Sequence, residues 1–93
     1  MIKPEIGKYY ADENCIIKVV ELDHLQEPLG VLVWKTERSV SIDHFIDVHY
    51  VFYENNKDLK EITKEEFETK FQEYQTKMNE LFNELLNNDE NSN

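Results

Sequence analysis

The chain contains few of the residues on which several functional classes depend, with one cysteine, two glycines and two prolines in 93 residues. A single cysteine excludes an internal disulfide and a cysteine-based zinc site. Two isolated glycines exclude the glycine-rich loops that hold phosphate in nucleotide-binding proteins. No apolar run approaches the ~18 residues of a membrane span, and the N-terminus lacks the apolar stretch of a signal peptide. We therefore expect a cytoplasmic protein.

Basic residues are also scarce, because ten Lys and Arg stand against twenty Asp and Glu, for a formal net charge of -10. Direct binding of nucleic acid normally needs a basic patch, and anionic membranes repel an acidic protein. We expect neither of these partners. If charge selects a partner, that partner presents a basic protein surface. The length corresponds to one domain, residues 1–93, and the hydrophobic fraction of 40% is sufficient for a folded core.

The first sixty residues are typical of short β-strands, because they are rich in β-branched and aromatic side chains separated by short polar segments. The predicted strands are Gly7–Tyr10, Cys15–Leu22, Gly30–Trp34 and Val40–Tyr53. The segments between them, Asp12–Asn14, Asp23–Pro28 and Thr36–Ser39, contain residues that favour turns and loops. The last run is either one long bent strand or two strands broken near Asp43.

Alternation along this last run predicts which of its residues face the core, since successive side chains of a strand point to opposite faces. The more apolar set is assigned to the core and consists of Ile42, His44, Ile46, Val48, Tyr50 and Phe52. The other set mixes acids with aromatics, as a solvated or partner-facing surface does, and consists of Asp43, Phe45, Asp47, His49, Val51 and Tyr53.

A helix is predicted to begin at Thr63. Thr63 and Glu66 have the spacing of a capping box, in which each side chain binds a backbone N–H at the other residue. Ile62 and Phe67 have the spacing of a hydrophobic staple across the same helix end. No Gly or Pro interrupts the helix before residue 87, and residues 88–93 form a polar tail that we expect to fray.

The predicted helix carries an apolar seam with heptad spacing, which is broader towards its C-terminal end. The seam consists of Phe67, Phe71, Tyr74, Met78, Leu81 and Leu85, with Phe82 and Leu86 beside it. A helix of this length spans roughly 36 Å, whereas a six-residue strand covers only about 20 Å. Either the sheet is long and curved, or the C-terminal half of the seam packs against another chain.

These elements predict an α+β fold. It consists of a small antiparallel sheet or partial barrel of about four to five strands over residues 7–53, within a β part that covers 1–60. One long helix over 63–87 follows it. The opening Gly7–Tyr10, followed by short strands, resembles small SH3-like barrels over about half of the chain. The architecture also looks like that of many small accessory proteins of phages and mobile elements.

No arrangement of residues in the sequence points to an enzyme or a bound cofactor. Asp47 and His49 lie two apart and could share a metal with His24, but the spacing is unspecific, and an exposed polar strand face is the favoured interpretation. Cys15 lies in an apolar run and is typical of a buried packing residue. We therefore predict no catalytic residue, no metal site and no cofactor.

The acidity and the seam together favour a protein-binding function. We expect an inhibitor that occupies the basic nucleic-acid-binding surface of a partner, as a DNA mimic or an anti-CRISPR protein does, in the host cytoplasm if the chain is phage-encoded. The acids assigned to this binding are Asp43, Asp47, Glu66, Glu73, Glu80 and Glu84. Phe45 and Tyr53 are the aromatic anchors assigned to it.

The alternative is a homodimeric scaffold or regulatory subunit assembled through the C-terminal helix. Glu66 with Lys70 and Glu73 with Lys77 have the spacing of ordinary solvated ion pairs, and in this interpretation the acidity serves only solubility. The residues assigned to self-association are Met78, Leu81, Phe82, Leu85 and Leu86.

Overall fold

A computed structural model of the chain describes residues 2–53 and 58–91, with side chains described over 2–52 and 58–87. The elements are β1 (Tyr9–Ala11), β2 (Cys15–Leu22), β3 (Pro28–Lys35), β4 (Val40–Asp47), α1 (His49–Tyr53), β5 (Lys60–Ile62) and α2 (Lys64–Asn91). The strands form one antiparallel sheet in the order β4-β3-β2-β1-β5, with β4 and β5 at its edges. The α+β fold predicted from the sequence is confirmed, in the form of an open sheet followed by a long helix.

An aspartate at the start of each of the first two hairpin loops stabilises the turn between the strands. The Asp12 carboxylate accepts the N–H groups of Asn14 and Cys15 between β1 and β2. The Asp23 carboxylate accepts the N–H groups of Leu25 and Glu27 between β2 and β3. These are local interactions of the kind that favours short polar residues in turns, and they confirm the loops predicted at these positions.

The sheet has a separate apolar core on each face. On one face, α2 covers a core of buried and half-buried residues that comprises Tyr9, Ala11, Ile16, Val31, Val33, Val40, Ile42, Ile62, Phe67, Phe71 and Tyr74. On the other face, α1 and Leu59 cover a second core, whose buried residues are Tyr10, Cys15, Ile17, Val19, Leu32, Val48, Val51, Phe52 and Leu59. The sheet is therefore enclosed between a long helix and a short one.

A β-bulge in β4 makes the predicted alternation wrong. Ile42 pairs with Val33 on the α2 face, whereas Ile46 pairs with Gly30 and joins the core on the α1 face. One extra residue lies between these pairs, and Phe45 there has a φ of 52°. Because an inserted residue exchanges the two faces of a strand, Ile42 and Ile46 point in opposite directions. His44, which the alternation assigned to the core, is exposed.

The strand predicted to continue to Tyr53 ends at Asp47, and helix α1 follows it. The Asp47 carboxylate accepts the backbone N–H of His49 at 3.0 Å, which satisfies a donor at the first residue of α1. This short helix buries Val48, Val51 and Phe52 against the sheet. Val51, predicted to face outward, therefore belongs to the core.

Helix α2 begins as the sequence predicts. The Thr63 hydroxyl accepts the N–H of Glu66, and the Glu66 carboxylate accepts the N–H of Thr63, each at 3.1 Å. Ile62 and Phe67 join the same apolar core, as a hydrophobic staple requires. The helix ends at Asn91, beyond residue 87, and so includes part of the predicted polar tail. No helix among the described residues is long and apolar enough to cross a membrane.

Replacing Thr63 with alanine should destabilise the chain by about 1 kcal/mol, because the Glu66 N–H loses its acceptor. For a domain of this size that corresponds to a fall of about 4–8 °C in Tm, measured by circular dichroism. Thr69→Ala is the matched control. The Thr69 hydroxyl only donates to the Glu65 carbonyl within the helix, so its loss should leave Tm nearly unchanged. Equal effects of the two substitutions would refute the capping role.

Candidate protein-binding surface

Helix α2 extends beyond the sheet, and its apolar side chains become exposed there. Tyr74 is buried against the sheet, with the Lys35 ammonium 5.3 Å from the centre of its ring. Further along, the exposed fractions are 38% for Met78, 60% for Phe82, 56% for Leu85 and 48% for Leu86, while Leu81 is half-buried. We call Met78, Leu81, Phe82, Leu85 and Leu86 the C-terminal patch. The sheet therefore covers only the first part of the seam, so the alternative of a long, curved sheet that covers the whole seam is wrong.

An open cleft of about 710 Å³ lies beside this patch, between α2 and the start of β4. Its lining consists of Arg38, Ser39, Val40, Met78, Leu81, Phe82, Glu84 and Leu85. The contribution of Arg38, Ser39 and Val40 could not be found from the sequence, because only the β3–β4 hairpin brings them to the helix. The patch is therefore one wall of a concave surface whose opposite side comes from the sheet.

Four carboxylates assigned to partner binding share one side of α2. Glu66, Glu73, Glu80 and Glu84 are all exposed. At 3.6 residues per turn they fall within about 40° of one another and extend over about 27 Å of the helix. We call them the carboxylate row. Glu66 is also the acceptor of the capping box, so one member of the row has a structural role.

Two lysines accompany the carboxylate row. Lys70 and Lys77 are half-buried and lie between the row and the sheet. Among the described residues, the α2 pair at ion-pair distance is Lys64 with Glu68, at 3.9 Å. The ion pairs predicted for Glu66 with Lys70 and Glu73 with Lys77 are therefore not formed, and the carboxylates face solvent.

The two acids of β4 do not join the carboxylate row, contrary to the single acidic surface expected from the sequence. Asp43 is paired with Leu32, which places it on the sheet face opposite to α2. Asp47 lies at the other end of β4 from the hairpin that meets the C-terminal patch. The four acids of α2 and the two acids of β4 that were assigned to partner binding therefore do not form one surface, because of the bulge and the direction of β4.

Asp47 instead belongs to a cluster with Glu27 and His49. The ring Nδ1 of His49 lies 2.6 Å from the Asp47 carboxylate and 3.6 Å from that of Glu27. The hydrogen bond with Asp47 raises the pKa of His49, and the hydrogen bond from the His49 backbone N–H lowers the pKa of Asp47. One donor atom from each residue lies within 4.8 Å of the others, so the three could hold a cation. When His49 is protonated, its own positive charge takes the place of a bound cation between the two carboxylates.

This cluster differs from the metal-binding group considered from the sequence. Asp47 and His49 are neighbours as their spacing suggests, but the third residue is Glu27 and not His24. Glu27 comes from the loop between β2 and β3, and only the pairing of Leu29 with Asp47 brings that loop to the end of β4. Sequence spacing contains no signal for that contact.

Phe45, one of the two aromatic anchors, has an exposed fraction of 54%. It occupies the bulge of β4 with a left-handed backbone, a conformation that costs about 1–2 kcal/mol for a residue with a side chain. Tyr53, the other anchor, is the last residue of α1, and its side chain lies outside the described residues. Phe45 is therefore exposed as predicted, and the pairing of the two aromatics stays a prediction.

The candidate surface thus consists of the C-terminal patch, its cleft and the carboxylate row. It can bury apolar side chains of a partner while it attracts basic ones, because the two chemistries lie side by side on α2. No protein-family model, curated protein or solved structure matches this chain.

Proposed function

We propose that the chain is a small acidic protein-binding module that inhibits a partner by occupying its basic, nucleic-acid-binding surface. The observation that carries the proposal is the carboxylate row, which presents Glu66, Glu73, Glu80 and Glu84 on one side of a 28-residue helix. The formal net charge of -10 adds a long-range attraction to any basic surface. The proposed place of action is the cytoplasm, that of the host if the chain is phage-encoded.

The packing of the first half of α2 against the sheet supports this function. A basic nucleic-acid groove binds phosphates at regular spacing, and a helix anchored on a sheet can hold carboxylates in a fixed line without first becoming ordered. Tyr74, Phe71 and Phe67 anchor the first half of α2 to the sheet.

The proposal predicts a binding that weakens with salt and competes with DNA. The immobilised chain would be used to capture proteins from a host lysate at low salt, and the captured protein would then be purified. Its affinity for the chain should fall by about tenfold or more between 50 and 500 mM salt, because screening shortens the reach of the charges. In a fluorescence titration, the chain should displace duplex DNA from that protein.

A matched pair of variants tests the position of the charges. Changing the four carboxylates of the row to glutamine should weaken binding by at least tenfold, while the amide oxygen that replaces the Glu66 carboxylate can still accept the capping hydrogen bond. The control makes the same change at Glu13, Glu21, Glu37 and Glu65, which are exposed acids outside the row. Equal losses in both variants, or a partner that binds DNA and the chain together, would contradict the proposal.

A second candidate function is a homodimeric scaffold or regulatory subunit assembled through α2, in which the acidity serves only solubility. The exposed C-terminal patch favours it, since contiguous apolar surface on a small domain marks interaction sites. The two candidates are compatible, because a dimer carries two carboxylate rows.

A further inference from the structure

We propose that the C-terminal patch and its cleft are covered by a second copy of this chain, related to the first by a two-fold axis. The proposal rests on the self-association of the second candidate function and names the surface that each copy supplies. Of the carboxylate row, the proposed contact includes only Glu84, which lines the cleft, so Glu66, Glu73 and Glu80 remain accessible to a basic partner.

The surface combines a projecting side chain with an open cleft. Phe82 projects from α2 with 60% of its surface exposed, and it lies beside the cleft that Val40, Leu81 and Leu85 line. A two-fold contact brings the same surface of both copies together, so each surface must contain both a projection and a hollow. Phe82 is the projection and the adjoining cleft is the hollow, and the two lie within about one turn of the helix.

The seam of α2 provides a second argument for a helix from another copy as the occupant. Tyr74, Met78, Leu81 and Leu85 continue a single spacing of alternating four and three residues. The sheet covers this seam at Tyr74 and leaves it open from Met78 onward. A second α2 that presents the same spacing can pack against the open part, because heptad positions of two helices interlock.

The exposed apolar area of the patch is about half of what one copy contributes to a standard interface. The four exposed side chains of the patch leave on the order of 400 Å² of apolar surface uncovered, which is within the range of functional patches on small proteins. The polar rim, which includes Arg38 and Glu84, enlarges the contact towards the roughly 800 Å² that each partner contributes to a standard interface. Arg38 and Glu84 give this rim one charge of either sign on each copy.

The overall charge opposes this dimer. Two copies that each carry a formal charge of -10 repel one another, and salt screens that repulsion. Self-association through the patch should therefore strengthen with salt, whereas binding to a basic partner should weaken with it. The two proposals can accordingly fail separately.

Light scattering after gel filtration, at chain concentrations from about 10 to 500 μM, measures the mass in 50 and 500 mM salt. We expect about twice the 11.2 kDa of one chain at the higher concentrations, with a dissociation constant at least threefold lower in 500 mM salt. If the wild-type protein has the mass of a single chain at every concentration and at both salt concentrations, the proposal is wrong.

Substitutions then place the interface on the patch. Leu85→Glu and Phe82→Gln should each raise the dissociation constant at least tenfold, and both side chains are exposed enough for the fold to tolerate the change. Leu25→Glu is the matched control, since Leu25 is 66% exposed in the loop between β2 and β3, away from α2. A helical circular dichroism spectrum confirms folding of each variant. A dimer that survives both patch variants, or that Leu25→Glu disrupts equally, would overturn the proposal.

Discussion

Replacing Gly30 with alanine is expected to destabilise the chain by about 3 kcal/mol or more, because the added methyl group meets backbone atoms. Gly30 lies in the middle of β3 and is paired with Val19 of β2 and with Ile46 of β4. A Cβ atom at Gly30 would overlap the Lys18 carbonyl oxygen and lie 3.2 Å from the Val19 Cα. Because both obstacles are backbone atoms, no side-chain rotation can relieve the clash.

The close approach at Gly30 coincides with both irregularities of the sheet. The register of β2 against β3 shifts between Val19 and Glu21, and that of β4 against β3 shifts between Gly30 and Leu32 of β3. Bulges increase the local twist of a sheet, and a glycine permits the backbones to approach where the twist is greatest. An alanine at residue 30 would therefore force β2 away from β3 at the centre of the sheet.

Gly7→Ala is the matched control for this prediction. Gly7 has a φ of 83°, and nothing lies within 4 Å of a Cβ built there. Its replacement should cost only the strain of a left-handed backbone, about 1 kcal/mol. Thermal unfolding should then show a fall in Tm of about 10–20 °C for Gly30→Ala and a much smaller one for Gly7→Ala. Equal shifts would mean that loss of glycine flexibility, and not the contact with Lys18, dominates at residue 30.

The sequence alone predicts those parts of the fold that short-range interactions determine. The start of α2 depends on Thr63 and Glu66, which lie three residues apart, and the hairpin loops depend on Asp12 and Asp23 bonding to the next few N–H groups. In such cases the interacting groups are neighbours in the chain, so their spacing suffices for the prediction.

The end of β4 and helix α1 could not be predicted in the same way. The run from Val40 to Tyr53 is rich in residues that favour strands, and its intrinsic preference continues past Asp47. Burial of Val51 and Phe52 against the far face of the sheet stabilises a helix there instead. The bulge at Phe45 has no glycine to mark it, so pattern alone assigns Ile42 and Ile46 to the same face.

The apolar half of the candidate surface was predictable as one of two alternatives, and the position of the β4 acids was not predictable. The seam is longer than a short strand can cover, so either the sheet is long and curved or Met78 and Leu85 pack against another chain. No such constraint fixes the position of the acids, because a carboxylate is equally stable on any exposed face. Only the register of β4 against β3 shows that Asp43 lies on the face of the sheet opposite to α2 and its Glu73.

Raising the pH from about 8.5 to 10.5 is expected to lower the free energy of unfolding by up to about 3 kcal/mol, because Cys15 stays protonated in the folded chain. Burial, with a smaller contribution from Asp12, raises the pKa of the Cys15 thiol to about 12. An unfolded cysteine loses its proton near pH 8.5. Above that pH the thiol ionises in the unfolded chain but not in the folded chain. The free energy of unfolding therefore falls by about 1.4 kcal/mol per pH unit.

Tyr74 adds a second contribution at higher pH. Burial raises the pKa of its hydroxyl to about 12, and the nearby Cys15 and Asp12 act in the same direction. An unfolded tyrosine ionises near pH 10, so the contribution of Tyr74 to stability is complete below that pH and is lost as the pH rises towards 12. Stability should therefore decline with one slope from about pH 8.5 and more steeply from about pH 10.

Urea unfolding at a series of pH values, followed by circular dichroism, tests this pair of groups. In Cys15→Ala the decline should begin near pH 10 and not near pH 8.5. In Tyr74→Phe the steeper part should become smaller, and the remainder comes from Tyr10, whose pKa burial also raises. The slope within each chain does not depend on the constant cost of the substitution, and ionisations that all three chains share cancel when the slopes of the chains are compared. A wild-type stability that is level between pH 8.5 and 10, or a Cys15→Ala chain with the same early decline, would show that the thiol at the start of β2 ionises in the folded state and is reached by water.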